Sequence, residues 1–153
     1  MTVTRKRLTT EHIHEFQQPC AEIFKLACPV REDEWLPGWP EIREIIYTES
    51  GFAEMGCVFK TKSMAHLMGP ATWVNNIFNP SEKIQYSAVN ENLVYQIEWE
   101  LEPLGGGCRA LLRRRWTALT EKAEKFLGKM AEEQAGGKPP DLFNLIEKYF
   151  AHK

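Results

Sequence analysis

The chain has 153 residues, of which 43% are hydrophobic and 26% are charged, as in an ordinary globular protein. We expect a chain of this length to form a single domain over residues 1–153. With 19 basic and 21 acidic residues the net charge is -2. This charge balance gives no indication of binding to a nucleic acid or to an anionic membrane.

The targeting and cysteine patterns predict a cytoplasmic protein. The first ten residues, MTVTRKRLTT, contain basic residues but lack the apolar core of a signal peptide. No segment of the sequence has the length of a membrane span. The cysteines form no CxxC pair, and we expect reduced, mostly buried thiols. The four positions are Cys20, Cys28, Cys57 and Cys108.

The first forty residues predict one strand followed by two short helical pieces. Residues 7–16 fit a strand. Pro19 is compatible with the first turn of a helix, where its missing N–H is not needed, and apolar residues at helical spacing follow it up to residue 28. Two further prolines restrict the next piece to a short helical turn over residues 32–36.

From residue 41 the sequence becomes rich in β-branched and aromatic residues, which are typical of strands. Turn residues separate six strand-like runs, which read EIREIIYTES, CVFKTKS, TWVNNIFN, KIQYSAVN, LVYQIEWELE and CRALLRRRWTA. In LVYQIEWEL, hydrophobic residues at every second position alternate mainly with polar ones. This alternation indicates an antiparallel strand with one face in a core or cavity.

Two apolar stripes at helical spacing predict a helical C-terminus. The first stripe runs from Ala123 to Ala131 behind Thr120, which is a suitable N-cap, and the second runs from Leu142 to Phe150. The sequence GGKPP at 136–140 separates them and allows either one bent helix or two. The element order predicts an α+β fold, in which about seven antiparallel strands form one curved sheet around the C-terminal helix. Two short helices follow the first strand.

Several local motifs occur in a characteristic order along this predicted fold: FQQP, CPVREDEWLPGW, YTESG, EMGCVF, TW and TALT. With the element order, they resemble an uncharacterised bacterial subgroup of the START-like (SRPBCC) superfamily, near the polyketide cyclases/dehydratases and lipid-transport proteins. The resemblance extends to about Glu124. It implies a single START-like domain with the helix-grip fold of birch-pollen-allergen-like proteins, and a cavity for an apolar or amphipathic ligand. It implies no particular reaction, because the superfamily includes carriers, sensors, cyclases and co-chaperone-like domains.

The last two strand runs form a predicted hairpin that places an arginine inside the fold. If Tyr95, Ile97 and Trp99 face inward, the partner strand should present its more apolar set. That set is Cys108, Ala110, Leu112, Arg114 and Trp116. Arg114 would then lie in an apolar interior, where a guanidinium group needs a partner. The partner is either an internal carboxylate or the acidic head group of a ligand.

We therefore predict non-catalytic binding of a hydrophobic or aromatic small molecule in an internal cavity, with no cofactor, by a monomer or homodimer. The candidate ligand-binding residues are Arg114, Trp116, Tyr95, Trp99, Tyr86, Trp73 and Phe59. One alternative is a cyclase, aromatase or dehydratase that uses the same cavity, which would require two converging titratable groups. A second alternative is a co-chaperone-like interaction module, which would expose a large apolar patch.

The motif CPVREDEWLPGW is interpreted as structural. Its consecutive carboxylates Glu32, Asp33 and Glu34 fan out on a helical turn, where negative charge at the start of a helix is favourable. Trp35 and Trp39 are expected to fill the core, and whether either reaches the cavity wall is left open.

A histidine pair is the other potential site. His12 and His14 share one face of the first strand, but two ligands do not make a metal site. We expect an edge-strand histidine pair and no metal. No catalytic residue is assigned.

Overall fold

The structure is a computed structural model that describes residues 6–135 and 137–153. Within these residues, seven antiparallel strands form one curved sheet in the order β1-β7-β6-β5-β4-β3-β2. The strands are β1 (Arg7–Phe16), β2 (Arg43–Tyr47), β3 (Val58–Met64), β4 (Gly69–Asn79), β5 (Lys83–Val89), β6 (Leu93–Leu104) and β7 (Gly107–Ala118). The α-helices are α1 (Cys20–Leu26), α2 (Trp39–Ile42), α3 (Glu121–Glu133) and α4 (Asp141–Ala151). The predicted α+β architecture is confirmed.

The β6–β7 hairpin has the register that the sequence predicts. Tyr95 pairs with Trp116, Ile97 with Arg114, and Trp99 with Leu112. Cys108, Ala110, Leu112 and Trp116 are all buried, and the intervening residues of β7 are more accessible. The alternation of apolar and polar residues therefore determines which face of these two strands lies against the interior.

The segment Cys28–Trp39, which we call the tryptophan corner, connects α1 to α2. A 3-10 helix over Arg31–Glu34 replaces the predicted turn over residues 32–36. Trp35 donates a hydrogen bond from Nε1 to the carbonyl of Leu26 (2.9 Å), and Trp39 donates one to the carbonyl of Pro29 (2.7 Å). The buried side chain of Trp35 therefore fastens the corner to the end of α1, and that of Trp39 ties the two ends of the corner together.

The C-terminal region contains two helices and not one bent helix. Thr120 caps α3 by accepting a hydrogen bond from the backbone N–H of Ala123 (3.1 Å), as predicted. The GGKPP segment separates the two helices, although its Gly136 lies outside the described residues. α3 contacts β1 and β7, and α4 places Phe143 against the inner face of the sheet. No helix in the described residues has the length and apolar character needed to cross a bilayer.

The prediction of four reduced thiols is wrong for two of them, because Cys20 and Cys108 form a disulfide. Phe16, at the end of β1, pairs with Cys108 of β7, and the chain turns after Phe16 to begin α1 at Cys20. The turn brings the two Cα atoms to 4.9 Å, a usual separation for a disulfide. Cys28 and Cys57 are free and buried, as predicted.

Candidate functional site: an aromatic cavity with two polar ends

A cavity of about 450 Å³ lies between the inner face of the sheet, the tryptophan corner and the start of α4. Seven aromatic residues line it: Trp35, Trp39, Phe59, Trp73, Tyr86, Tyr95 and Trp99. Its aliphatic wall consists of Ala27, Leu36, Met64, Ile97, Pro140, Leu142 and Leu145. The polar residues on the wall are Glu32, His66, Arg114 and Asp141. The volume lies in the range of small-molecule binding sites.

The aromatic wall is held rigidly by ring contacts and by hydrogen bonds at its polar atoms. Phe59 stacks on Trp73 with ring centroids 5.2 Å apart, and it meets the edge of Tyr86 at 5.8 Å. The hydroxyl of Tyr86 donates to the carbonyl of Ala27 (2.8 Å), and Nε1 of Trp73 donates to Oγ1 of Thr61 (3.0 Å). Because these polar atoms have protein partners, the rings present mainly apolar surface to the cavity.

Arg114 provides the polar group at one end of the cavity. Its guanidinium lies 5.3 Å from the centroid of the Trp116 ring, in a cation–π contact, and beside the hydroxyl of Tyr95. Its Nε atom is buried without a hydrogen-bond partner. In the part of the chain that the structure describes, no carboxylate forms an ion pair with Arg114.

Two titratable residues of the cavity wall on which the charge of Arg114 acts, His66 and Tyr95, are neutral at neutral pH. Burial, and secondarily the positive charge of Arg114, lowers the pKa of His66 to about 4. Burial raises the pKa of Tyr95 well above its ordinary value, although Arg114 opposes this shift. This end of the cavity therefore carries a net positive charge.

Glu32 lies at the wall near the tryptophan corner, and its carboxyl group has no hydrogen-bond or ion-pair partner among the described residues. Burial raises its pKa to about 8. Arg43 lowers that pKa only in part, because its guanidinium binds both carboxylate oxygens of Asp33. Glu32 therefore lines the cavity, which the sequence did not predict, and the structural interpretation of these carboxylates stays a prediction.

Six of the seven predicted ligand-binding residues line the cavity, and their role in binding stays a prediction. The exception is Trp116, which is only 1% exposed and does not line the cavity. Its ring contacts Tyr95 at 5.0 Å, and its Nε1 donates to the carbonyl of His66 (3.0 Å). Tyr95 and the segment around His66 therefore cover Trp116, although it shares the inward face of β7.

Sequence reasoning did not place several other wall residues. Trp35 and Trp39 both reach the cavity, which settles the question left open above. Leu142 and Leu145 belong to the predicted second apolar stripe. They line the cavity because α4 lies against the inner face of the sheet. No sequence pattern separates these wall positions from the buried core positions of the same stripes.

The histidine pair lies on β1, which is an edge strand of the sheet. His14 stacks on Phe143 of α4, with ring centroids 4.9 Å apart and an interplanar angle of 17°. Within residues 6–135 and 137–153, no three His, Cys, Asp or Glu side chains form a group that could hold a metal ion.

The curved sheet, the two short helices after β1 and the helix across its concave face form a helix-grip fold. A point mutant of norcoclaurine synthase from Thalictrum flavum, in complex with a transition-state analogue, matches with a TM-score of 0.68 and 12% identity over 99% of both chains. Ara h 8.0201 matches with a TM-score of 0.61 and 17% identity over 97% of this chain and 100% of its own.

An uncharacterised protein from Rhizobium leguminosarum matches with a TM-score of 0.64 and 13% identity, over 99% of this chain and 100% of its own. At these identities the likeness shows the fold alone, and at that level it confirms the resemblance seen in the sequence. No protein-family model and no curated protein sequence matches the chain.

Proposed function

We propose that this protein binds a hydrophobic or amphipathic small molecule in its aromatic cavity, and that Arg114 holds the acidic end of that molecule. The observation that carries this proposal is the guanidinium of Arg114 on the wall of an aromatic cavity: its Nε is buried without a hydrogen-bond partner, and no carboxylate of the described residues forms an ion pair with it. The complex of norcoclaurine synthase with a transition-state analogue supports ligand binding on this fold.

Arg114 would stabilise the acidic group of such a ligand, and the aromatic wall would stabilise its apolar body. An internal carboxylate was the other candidate partner for Arg114, and none is present among the described residues. A buried guanidinium without a partner is unfavourable, and a ligand carboxylate or sulfonate would form charge-assisted hydrogen bonds with it. The aromatic wall would bury the ligand body, at about 25 cal/mol for each Å² of apolar surface removed from water.

The test is a fluorescence titration with 8-anilinonaphthalene-1-sulfonate, an aromatic anion, at constant ionic strength. We expect Arg114→Gln to weaken binding at least about tenfold, which corresponds to about 1.4 kcal/mol. Arg115→Gln is the matched control, because the side chain of Arg115 points to the other face of the same strand. Equal affinities of wild type and Arg114→Gln would contradict the role of Arg114, and the absence of any binding would contradict the proposed function.

A second candidate function is an enzyme of the cyclase, aromatase or dehydratase kind. The observation that favours it is the presence of two titratable groups, Glu32 and His66, on the wall of one cavity with Arg114. A carboxyl group with a pKa of about 8 is mostly protonated at neutral pH, but its deprotonated fraction is a stronger base than an ordinary carboxylate. In such a reaction Glu32 would take a proton from the carbon next to a carbonyl group, and Arg114 would hold an acidic group at the other end of the substrate.

Hydrogen exchange tests this second function without knowledge of the natural substrate. The α-hydrogens of 4-phenyl-2-butanone, a simple aromatic ketone, can be followed by NMR in D₂O. The enzyme hypothesis expects the wild-type protein to accelerate their exchange and Glu32→Gln to abolish the acceleration. Exchange at the uncatalysed rate with wild-type protein, under conditions where the ketone binds, would count against catalysis by Glu32.

A further inference from the structure

Glu32 differs from the other carboxylates of the tryptophan corner in having no cationic partner. Asp33 binds Arg43, and Glu34 binds Arg31 (3.1 Å) and accepts a hydrogen bond from a tyrosine hydroxyl of α4. Glu32 faces the cavity, and its carboxyl group contacts no cation in the described ranges. A carboxylate in apolar surroundings must be protonated or must pair with a cation. Because Asp33 already binds Arg43, the cation whose charge acts on Glu32, a ligand would supply the pairing cation.

The side chains around Glu32 are suited to a positively charged nitrogen. Trp35 and Trp39, from the same corner, line the cavity with Glu32, and Tyr86 lies close enough for the charge of Glu32 to raise the pKa of its hydroxyl. The faces of tryptophan and tyrosine rings attract cations. An anion flanked by such rings has the chemistry that recognises an alkylammonium group.

We infer that the Glu32 end of the cavity is an amine-binding subsite, and that the ligand is an aromatic amine whose other end carries an acidic or hydrogen-bond-accepting group. This inference rests on the proposed function, because it assigns a second subsite within the same cavity. The first subsite, at Arg114, holds the acidic end.

The charges near Glu32 agree with this assignment. Several titratable groups act on Glu32 or share its cavity: Asp33 of the same corner, Arg43 of β2, His66 after β3, Tyr86 of β5, Tyr95 of β6, Arg114 of β7 and Asp141 of α4. Both tyrosines are neutral because burial raises their pKa values. Arg43 is held by Asp33, and Asp141 adds a further carboxyl group to the wall. Arg43 is therefore the cation whose charge acts on Glu32, and the carboxylate of Asp33 offsets that charge.

The distance between the two subsites sets the length of the ligand. Tyr86 pairs with Ile97, and Ile97 pairs with Arg114, so the three residues form one row across β5, β6 and β7. Adjacent strands lie about 4.8 Å apart, which places the Cα atoms of Tyr86 and Arg114 about 10 Å apart. A ligand with one aromatic ring, a short aminoalkyl arm and an oxygen substituent has a length of this order.

Isothermal titration calorimetry at pH 7 with three phenols of one skeleton tests the subsite. Tyramine carries an ammonium group, 4-ethylphenol lacks it, and 3-(4-hydroxyphenyl)propionate carries a carboxylate. We expect tyramine to bind at least about tenfold more tightly than 4-ethylphenol. Because the pKa of Glu32 in the empty cavity is about 8, tyramine should also release about one proton, measured in two buffers of different ionisation enthalpy.

Variants separate the role of Glu32 from a general loss of structure. Glu32→Gln should abolish both the preference for tyramine and the proton release, with an unchanged circular dichroism spectrum. Glu41→Gln, which removes an exposed carboxylate of α2, should leave both unchanged. The proton count on the wild-type protein is a second measurement that does not depend on the folding of any variant.

The outcomes distinguish this inference from the proposed function. If 4-ethylphenol and the propionate bind but tyramine binds no more tightly or releases no proton, the amine subsite is refuted and the proposed function stands. Retention of the tyramine preference in Glu32→Gln also refutes it. If none of the three compounds binds, both proposals fail.

Discussion

The raised pKa of Glu32 predicts an unusual dependence of stability on pH, which Glu32→Gln should remove. The pKa of this carboxyl group is about 8 in the folded protein and 4.5 as an unperturbed group. Between these two values the folded state keeps a proton that the unfolded state has released. The free energy of unfolding therefore falls as pH rises through this window, and the loss is complete above about pH 8.

The size of this effect follows from the shift in pKa. Each unit corresponds to about 1.4 kcal/mol, so the full shift sets an upper limit of about 5 kcal/mol. Water in the cavity would reduce this value, because it solvates the carboxylate. Glutamine has nearly the same shape and cannot ionise. We therefore expect Glu32→Gln to be close to wild type in stability near pH 5 and more stable than wild type near pH 9, by about 1 kcal/mol or more.

Urea denaturation at pH 5, 7 and 9, in the absence of ligand, measures this difference. Glu41→Gln is the control, because an exposed carboxylate should contribute little to the pH dependence. A difference between Glu32→Gln and wild type that stays constant from pH 5 to pH 9 would refute the claim that burial shifts this pKa. A fall in the relative stability of Glu32→Gln as pH rises would refute it as well.

Three further predictions concern other parts of the fold. The pKa of His66 is about 4 in the folded protein against an ordinary value of 6.5, so the stability of the wild-type protein should fall as the pH drops from 6.5 to 4. In urea denaturation, His66→Gln should remove up to about 3 kcal/mol of this loss. An unchanged pH dependence in the variant would contradict this prediction. Thr120→Ala should lower the free energy of unfolding by about 1 kcal/mol through loss of the α3 cap, and a change near zero would indicate that the cap contributes nothing. Cys20 and Cys108 are 88 residues apart, and their disulfide leaves two reactive thiols in the unfolded chain before reduction. Reduction should lower the stability by about 4–5 kcal/mol. Four reactive thiols before reduction would show that the disulfide is absent.

Most of the sheet could be predicted from the sequence because alternation is a local property. Once Tyr95, Ile97 and Trp99 are assigned to one face of β6, antiparallel pairing in the hairpin determines the inward set of β7, including Arg114. The side chain of Arg114 could therefore be placed inside the fold without any coordinates. The GGKPP segment marked the break between α3 and α4 for an equally local reason, since glycine and proline both disfavour a continuous helix.

The missed features depend on contacts between distant segments. Glu32, Asp33 and Glu34 are consecutive, and which of them faces the cavity depends on how the hydrogen bonds of Trp35 and Trp39 shape the corner. No local pattern contains that information. The disulfide likewise depends on the turn after β1, which brings together two cysteines that lie far apart in the chain.

A crystal structure of the protein with 3-(4-hydroxyphenyl)propionate at saturating concentration tests the central claim most directly. We predict density for the ligand within the aromatic cavity, its ring against the wall formed by Phe59 and Trp73, and its carboxylate about 2.7–2.9 Å from the guanidinium of Arg114. An empty cavity at that concentration, or a ligand bound inside it with the carboxylate away from Arg114, would contradict the account.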